Sequence, residues 1–114
     1  DAIVDSRNLK LYVCNIMTEP GETDGFTAGD HVEVLVRYLK GKAPDAVVVN
    51  VEMPDDGLLI RYRTEHAELV LNDEIRIRQL GSRVVRGRVL SERADFIRHD
   101  SAKLSRVIMK YAVI

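Results

Sequence analysis

The chain has 114 residues, 46% of them apolar and 31% charged, the composition of one globular domain with a modest core and not of a disordered or fibrous chain. No apolar run approaches the roughly 20 residues of a membrane helix, and no signal peptide opens the sequence, so a membrane span is excluded at this stage. A single cysteine, Cys14, cannot form an internal disulfide and fits a reducing, cytoplasmic compartment.

The net charge of −1 hides an asymmetry. Residues 1–60 hold five Lys/Arg against eleven Asp/Glu; residues 61–98 hold nine, all arginine, against six. Arginine's planar fork suits phosphate, although a solvated basic face is the plainer account. A nucleic-acid partner has little support: the pI is about 6.3, and two Phe with no Trp provide no stacking motif.

In chain order, residues 1–8 read as the end of a helix and a turn, with Ser6-Arg7-Asn8 breaking the apolar pattern. Leu9–Cys14 is a short apolar run of the kind that fills a buried strand, Cys14 serving as a small hydrophobe. A polar loop follows, Asn15 to Phe26, and then a helix from Ala28 with Thr27 as N-cap and Asp30 completing a capping-box variant. Val32, Leu35, Val36 and Leu39 make its apolar stripe, and Gly41 stops it. Ala46–Val49 is a second buried strand, and Asp55 opens a helix to about Thr64 on which Leu58, Leu59 and Tyr62 share a face. Leu69–Leu71 reads as a brief strand, and Asn72-Asp73-Glu74 caps a helix of one or two turns ending at Gly81. Arg83–Leu90 is a third main strand, with Val84, Val85, Val89 and Leu90 as buried candidates. A polar loop to Arg98 tucks Phe96 and Ile97 back, and Asp100 caps a terminal helix striped by Leu104, Val107, Ile108 and Tyr111. Alternating strands and helices predict an α/β fold: a parallel, Rossmann-like three-layer sheet with helices on both faces.

The loop after the first strand is the leading site candidate, because α/β proteins place ligands at the carboxyl ends of strands and excess loop length serves binding. Gly21 and Gly25 let backbone amides approach an anion, and the Thr27 helix start presents free N–H groups. Asn15, Thr18 and Thr23 add neutral hydrogen-bonding groups. Glu19, Glu22 and Asp24 would repel phosphate; such carboxylates suit sugar hydroxyls, or Mg²⁺ at Asp24 together with substrate phosphates. Asp30 reads as a helix-start residue and His31 as a packed histidine, since adjacent helix residues do not face each other. Tyr62 reads as core with a polar tip, and Arg98 lies just ahead of a helix N-terminus, where it would suit a diphosphate. No zinc spacing, serine triad or nucleophile elbow is present, so no catalytic residue is assigned.

Tyr12-Val13-Cys14-Asn15-Ile16-Met17-Thr18-Glu19-Pro20-Gly21-Glu22-Thr23-Asp24-Gly25-Phe26-Thr27, followed by Asp30-His31, resembles the signature of the gluconeogenesis factor (YvcK) family, the bacterial CofD-like relatives of 2-phospho-L-lactate transferase. Many relatives carry Gln where this chain has Glu19. The resemblance implies that residues 1–114 correspond to the C-terminal portion of a CofD-like domain. An N-terminal portion with a Gly-Gly-Gly-Thr-Gly phosphate loop has no counterpart here, and becomes an expected partner. It further implies a UDP-N-acetylglucosamine-type sugar nucleotide as ligand, drawing on Tyr62 and on Arg98 in the Arg98-His99-Asp100 run. Ser101 would stand where some relatives carry a kinase-phosphorylated threonine, which makes a Ser/Thr kinase a further partner. The expected function is a sugar-nucleotide-binding regulator tied to carbon metabolism, cell shape and cell-wall synthesis, with Asn15, Thr18, Gly21, Glu22, Thr23, Asp24, Tyr62 and Arg98 as ligand contacts. No cofactor is required for that role, Mg²⁺ aside. A phospholactate transferase of deazaflavin coenzyme synthesis and a non-catalytic interaction domain stay open as alternatives, as does a homo-oligomer.

Overall fold

The computed structural model describes residues 2–6, 9–91 and 96–113; of residues 2–6, 9, 112 and 113 it describes the backbone alone. Eight elements follow in order: β1 (Ala2–Ser6), β2 (Leu9–Val13), α1 (Ala28–Tyr38), β3 (Ala46–Asn50), α2 (Asp56–Thr64), α3 (Glu74–Gln79), β4 (Arg83–Gly87) and α4 (Ser101–Val113). The sheet runs β1-β2-β3-β4, with β2, β3 and β4 parallel and β1 antiparallel at one edge. The three parallel strands and their crossover helices are the α/β arrangement that the alternating pattern predicts.

Period-two alternation divides the core. Tyr12, Cys14, Val47 and Val49 turn to one face and pack with Ala28, Val32, Val70 and Ile77 beneath α1 and α3. Leu11, Val13, Ala46 and Val48 alternate with them and are buried as completely. On β4, Gly87 lies so close to α4 that an added Cβ would come within 2.9 Å of the Val107 side chain.

Several boundaries differ from the sequence expectation. The helix end expected in residues 1–8 is instead β1, which pairs with β2 from Ala2↔Val13 to Ser6↔Leu9; β-branched Ile3 and Val4 favour extended backbone. Asp1, Arg7 and Asn8, the rest of that expectation, lie outside the described residues. Leu69–Leu71 forms no strand: its neighbour is the loop at Ile16–Thr18, giving only the isolated bridge Met17↔Leu69 and the bond from Val70 N–H to the Ile16 carbonyl at 2.8 Å. β4 stops at Gly87 and not at Leu90, because the Asn50 side chain takes the Val89 N–H at 3.3 Å, drawing the chain off the ladder. Phe96 is exposed and not tucked back, while Ile97 is half-buried. Of the loop expected over 91–98, residues 92–95 lie outside the described residues. No described helix is long and apolar enough to cross a membrane.

Candidate functional site

The loop between β2 and α1 is knitted by its own side chains. Thr23 Oγ1 accepts from the Glu19 N–H at 2.7 Å, and Asp24 Oδ2 accepts from the Gly21 N–H at 2.8 Å. Gly21 and Gly25 sit at φ +82° and +71°, left-handed conformations that glycine adopts at least cost. Thr18 is buried; its Oγ1 accepts from the Glu68 N–H at 2.9 Å, tying the loop to the segment after α2. A hydrogen bond shared with the Glu22 carboxyl raises the Glu19 pKa, and the repulsion of two like charges adds to it.

The start of α1 does not present free amides, contrary to the sequence expectation. Ala28 N–H donates to the Leu71 carbonyl at 2.8 Å, Gly29 N–H to Asp73 Oδ1 at 2.6 Å, and Asp30 N–H to Thr27 Oγ1 at 3.2 Å. Thr27 Oγ1 also donates to Asp73 Oδ2 at 2.8 Å. The anion at this positive helix end is therefore the chain's own Asp73 carboxylate, carried on the segment before α3. The fit leaves no room for a side chain at Gly29, whose added Cβ would come within 2.6 Å of Asp73 Oδ2. Asp30 completes the capping box by accepting from Thr27 N–H at 2.9 Å, which with an Arg76 ion pair lowers its pKa.

His31 is packed as expected. Its Nδ1 donates to the Thr27 carbonyl at 2.9 Å, and its Nε2 is buried with no hydrogen-bond partner among the described residues. The ring meets Phe26 edge to face at 5.3 Å. Cys14 is 2% exposed, and burial pushes its thiol pKa up to about 12, which makes it an inert core residue.

The predicted contacts divide between two clefts. Asn15, Thr18, Tyr62 and Arg98 come together in one of about 420 Å³ at the carboxyl end of β2, joined by Glu19, Glu65, Ile97 and His99. The Tyr62 hydroxyl accepts from the Ile97 N–H at 2.9 Å, and His99 Nε2 donates to the Cys14 carbonyl at 3.1 Å, so α2 and β2 together fix the segment that carries Arg98. Burial lowers the His99 pKa and keeps the ring neutral. Arg98 itself is exposed and makes no ion pair among the described residues, whereas Arg76, Arg78, Arg86 and Arg88 all pair with carboxylates of this chain.

Glu22 and Thr23 face a second groove of about 290 Å³, between the loop and α1, with Tyr12, Phe26, His31 and Tyr38. Asp24 and Gly21 line neither cleft. One Asp24 oxygen is already bonded to Gly21, and among the described residues no group of three His, Cys, Asp or Glu is gathered as metal ligands. Ser101 is exposed at the first position of α4, where Asp100 Oδ1 already accepts from the Lys103 N–H at 3.0 Å.

A third cleft, of about 420 Å³, shares Asn15 and Ile16 and extends over the end of β3 to Asn50, Met53 and Asn72. Neither Asn50 nor Asn72 is among the contacts expected from the sequence. Asn50 had a signal, being the first polar residue after an apolar parallel strand, but Asn72 reaches it only across the fold, donating to its carbonyl at 2.9 Å.

Residues 1–90 match the family model described as 2-phospho-L-lactate transferase CofD. The chain belongs to the CofD family. This CofD-family chain is 43% identical over 110 residues to a putative gluconeogenesis factor of Aquifex aeolicus, an alignment covering 96% of the chain and 34% of that protein. It is 32% identical over 109 residues to the gluconeogenesis factor of Bacillus subtilis, with 96% and 34% covered. A crystal structure of a UPF0052-family protein from Bacillus halodurans superposes with a TM-score of 0.84 at 34% identity, covering 91% of this chain and 33% of that one. The chain thus spans about a third of the length of these relatives.

Proposed function

We propose that this CofD-family chain contributes the sugar-nucleotide cleft of a cytoplasmic, gluconeogenesis-factor-like regulator that links a UDP-sugar level to carbon metabolism, cell shape and cell-wall synthesis. The observation that carries the reading is the convergence of Asn15, Tyr62 and Arg98 on one cleft at the carboxyl end of β2. Arg98 supplies the cation for a diphosphate, Asn15 and Glu65 the polar groups for hydroxyls, and the Tyr62 ring a wall. Glu22 and Thr23, on the far side of the loop, contact a ligand only if it bridges both clefts through Asn15 and Glu19, which line each of them.

Calorimetry with UDP-N-acetylglucosamine tests this. Binding without turnover is expected, weakened more than about tenfold, or 1.4 kcal/mol, by Arg98→Ala; equal affinity in the variant refutes the role of Arg98. The family model's description favours a second reading, a phospholactate transferase in which Mg²⁺ offsets charge on the transferring phosphate. A product formed from a phospholactyl donor and a deazaflavin acceptor would establish it; no product after prolonged incubation would dismiss it. Phosphorylation of Ser101 by a Ser/Thr kinase would set a dianion at the start of α4, beside the Arg98 segment.

A further inference from the structure

One face of α4 carries a row of cations. Lys103, Arg106 and Lys110 are spaced three and four residues apart, which stacks them along the helix over about 10 Å. Arg88, just past β4, approaches from the opposite side, and these four side chains with Val107 line a cleft of about 340 Å³. Among the described residues Glu52 is ion-paired with two of them, 3.4 Å from Lys103 Nζ and 3.8 Å from Arg88, and the Asp100 carboxylate acts electrostatically on Lys103 and Arg106. Glu52 also accepts from the Leu90 N–H at 3.2 Å, while Lys103 donates to the Leu90 carbonyl at 3.0 Å. Lys103 is thereby fixed in place as the inner wall. Arg106 Nε donates to the Ala102 carbonyl at 3.4 Å, and neither Arg106 nor Lys110 has an ion pair among the described residues.

Other arginines of this chain are used differently. Arg76 spans Asp30 and Glu33, and Arg86 grips Glu74 through two nitrogens, so both forks serve to hold α3 in place. Around α4 these four cations outnumber the two carboxylates that face them among the described residues, Glu52 and Asp100, and like charges stacked on a helix oppose its formation unless a counter-anion joins them. We propose that this cleft binds a multiply charged phosphoryl anion, a diphosphate or a phosphate ester. The Arg88 and Arg106 guanidinium forks offer bidentate contact to phosphoryl oxygens, Lys103 and Lys110 add point charge, and Val107 forms the floor. The site shares no residue with the Arg98 cleft, and Lys110 lies about 14 Å along α4 from the end nearest Arg98. It stands independently of the sugar-nucleotide reading.

The probe is inorganic pyrophosphate, titrated into the isotope-labelled chain and followed by amide chemical shifts, with calorimetry at low and at moderate salt. Saturable shifts along α4 and around Arg88 are expected, with affinity falling as salt rises. The double variant R88Q/K110Q, altered at two exposed positions, should bind at least about tenfold more weakly. Saturating UDP-N-acetylglucosamine, which occupies the Arg98 cleft, should leave the pyrophosphate shifts along α4 and around Arg88 unchanged. Absent shifts along α4, equal affinity in the double variant, or loss of the α4 shifts when UDP-N-acetylglucosamine is saturating would each overturn the proposal. Sulfate binding as tightly as pyrophosphate would also overturn it, since that reduces the site to general charge screening.

Discussion

Replacing Asp73 with Ala would remove the carboxylate that holds the start of α1. Asp73 accepts from the Gly29 N–H and the Thr27 hydroxyl at 2.6 and 2.8 Å, and its side chain is only 23% exposed, so both donors lose a partner where water enters poorly. A hydrogen bond to a charged acceptor contributes about 1.5–3 kcal/mol, and an anion at a helix N-terminus about 0.3–1 kcal/mol. The threonine hydroxyl can turn to another acceptor, so the Gly29 bond and the helix-end charge dominate. The expected loss is about 2–3 kcal/mol, a large fraction of the stability of a small domain. Urea unfolding followed by circular dichroism should give a lower midpoint with an unchanged slope. Asp73→Asn keeps an oxygen for Gly29 but not the charge, and should lose about half as much. The variant Asp73→Ala should also gain affinity for sulfate at the vacated Gly29 amide and Thr27 hydroxyl. A loss below about 0.5 kcal/mol, within the ordinary range of surface substitutions, would refute the idea that α1 is capped from α3.

Gly29→Ala should destabilise by about 1–3 kcal/mol through overpacking against Asp73 and Arg76, although alanine is the better helix former; a stabilised variant in thermal melts would contradict this packing. Cys14 should resist a thiol reagent in the native chain and react at once in urea, and rapid native labelling would count against its burial. The pH dependence of stability should fall in two stages, measured as urea midpoints. The folded His99 pKa is lowered by burial, so as pH falls below about 6.5 the unfolded chain takes the proton first and stability declines; His99→Gln should abolish this stage, and an unaltered profile would rule it out. The folded pKa values of Asp30, Glu74 and Asp100 are lowered by hydrogen bonds from the Thr27 N–H, Arg86 and the Lys103 N–H respectively. Their contribution is complete above the unfolded values near 4 and is lost as pH falls through the lower folded ones, so a steeper drop is expected below about pH 4.

Much of this chain is legible without coordinates because its signals are local. The apolar run at Ala46–Val49 has no polar face and must be buried on both sides, and all four residues are at most 1% exposed. Thr27 and Asp30 name the start of α1 because a capping box is written within four residues. The motif from Asn15 to Thr27 marks the candidate ligand loop, and the Arg98-His99-Asp100 run marks a helix start, before either has a position in space. What the sequence withholds is pairing at a distance. Asp73 reads as the cap of its own helix, yet it makes no side-chain cap bond there and spends its carboxylate on α1, 44 residues earlier. A carboxylate can satisfy whichever donors the fold brings to it, and no local pattern records that choice. The same holds for the arginines: composition counts nine in residues 61–98, but only the tertiary arrangement sends Arg76 and Arg86 to internal carboxylates, sets Arg98 in a cleft beside Tyr62 and turns Arg88 toward the cations of α4. Side-chain chemistry and short-range periodicity fix what each residue is able to do; the crossing of helices over the sheet decides which of those capacities is already occupied and which is left for a ligand.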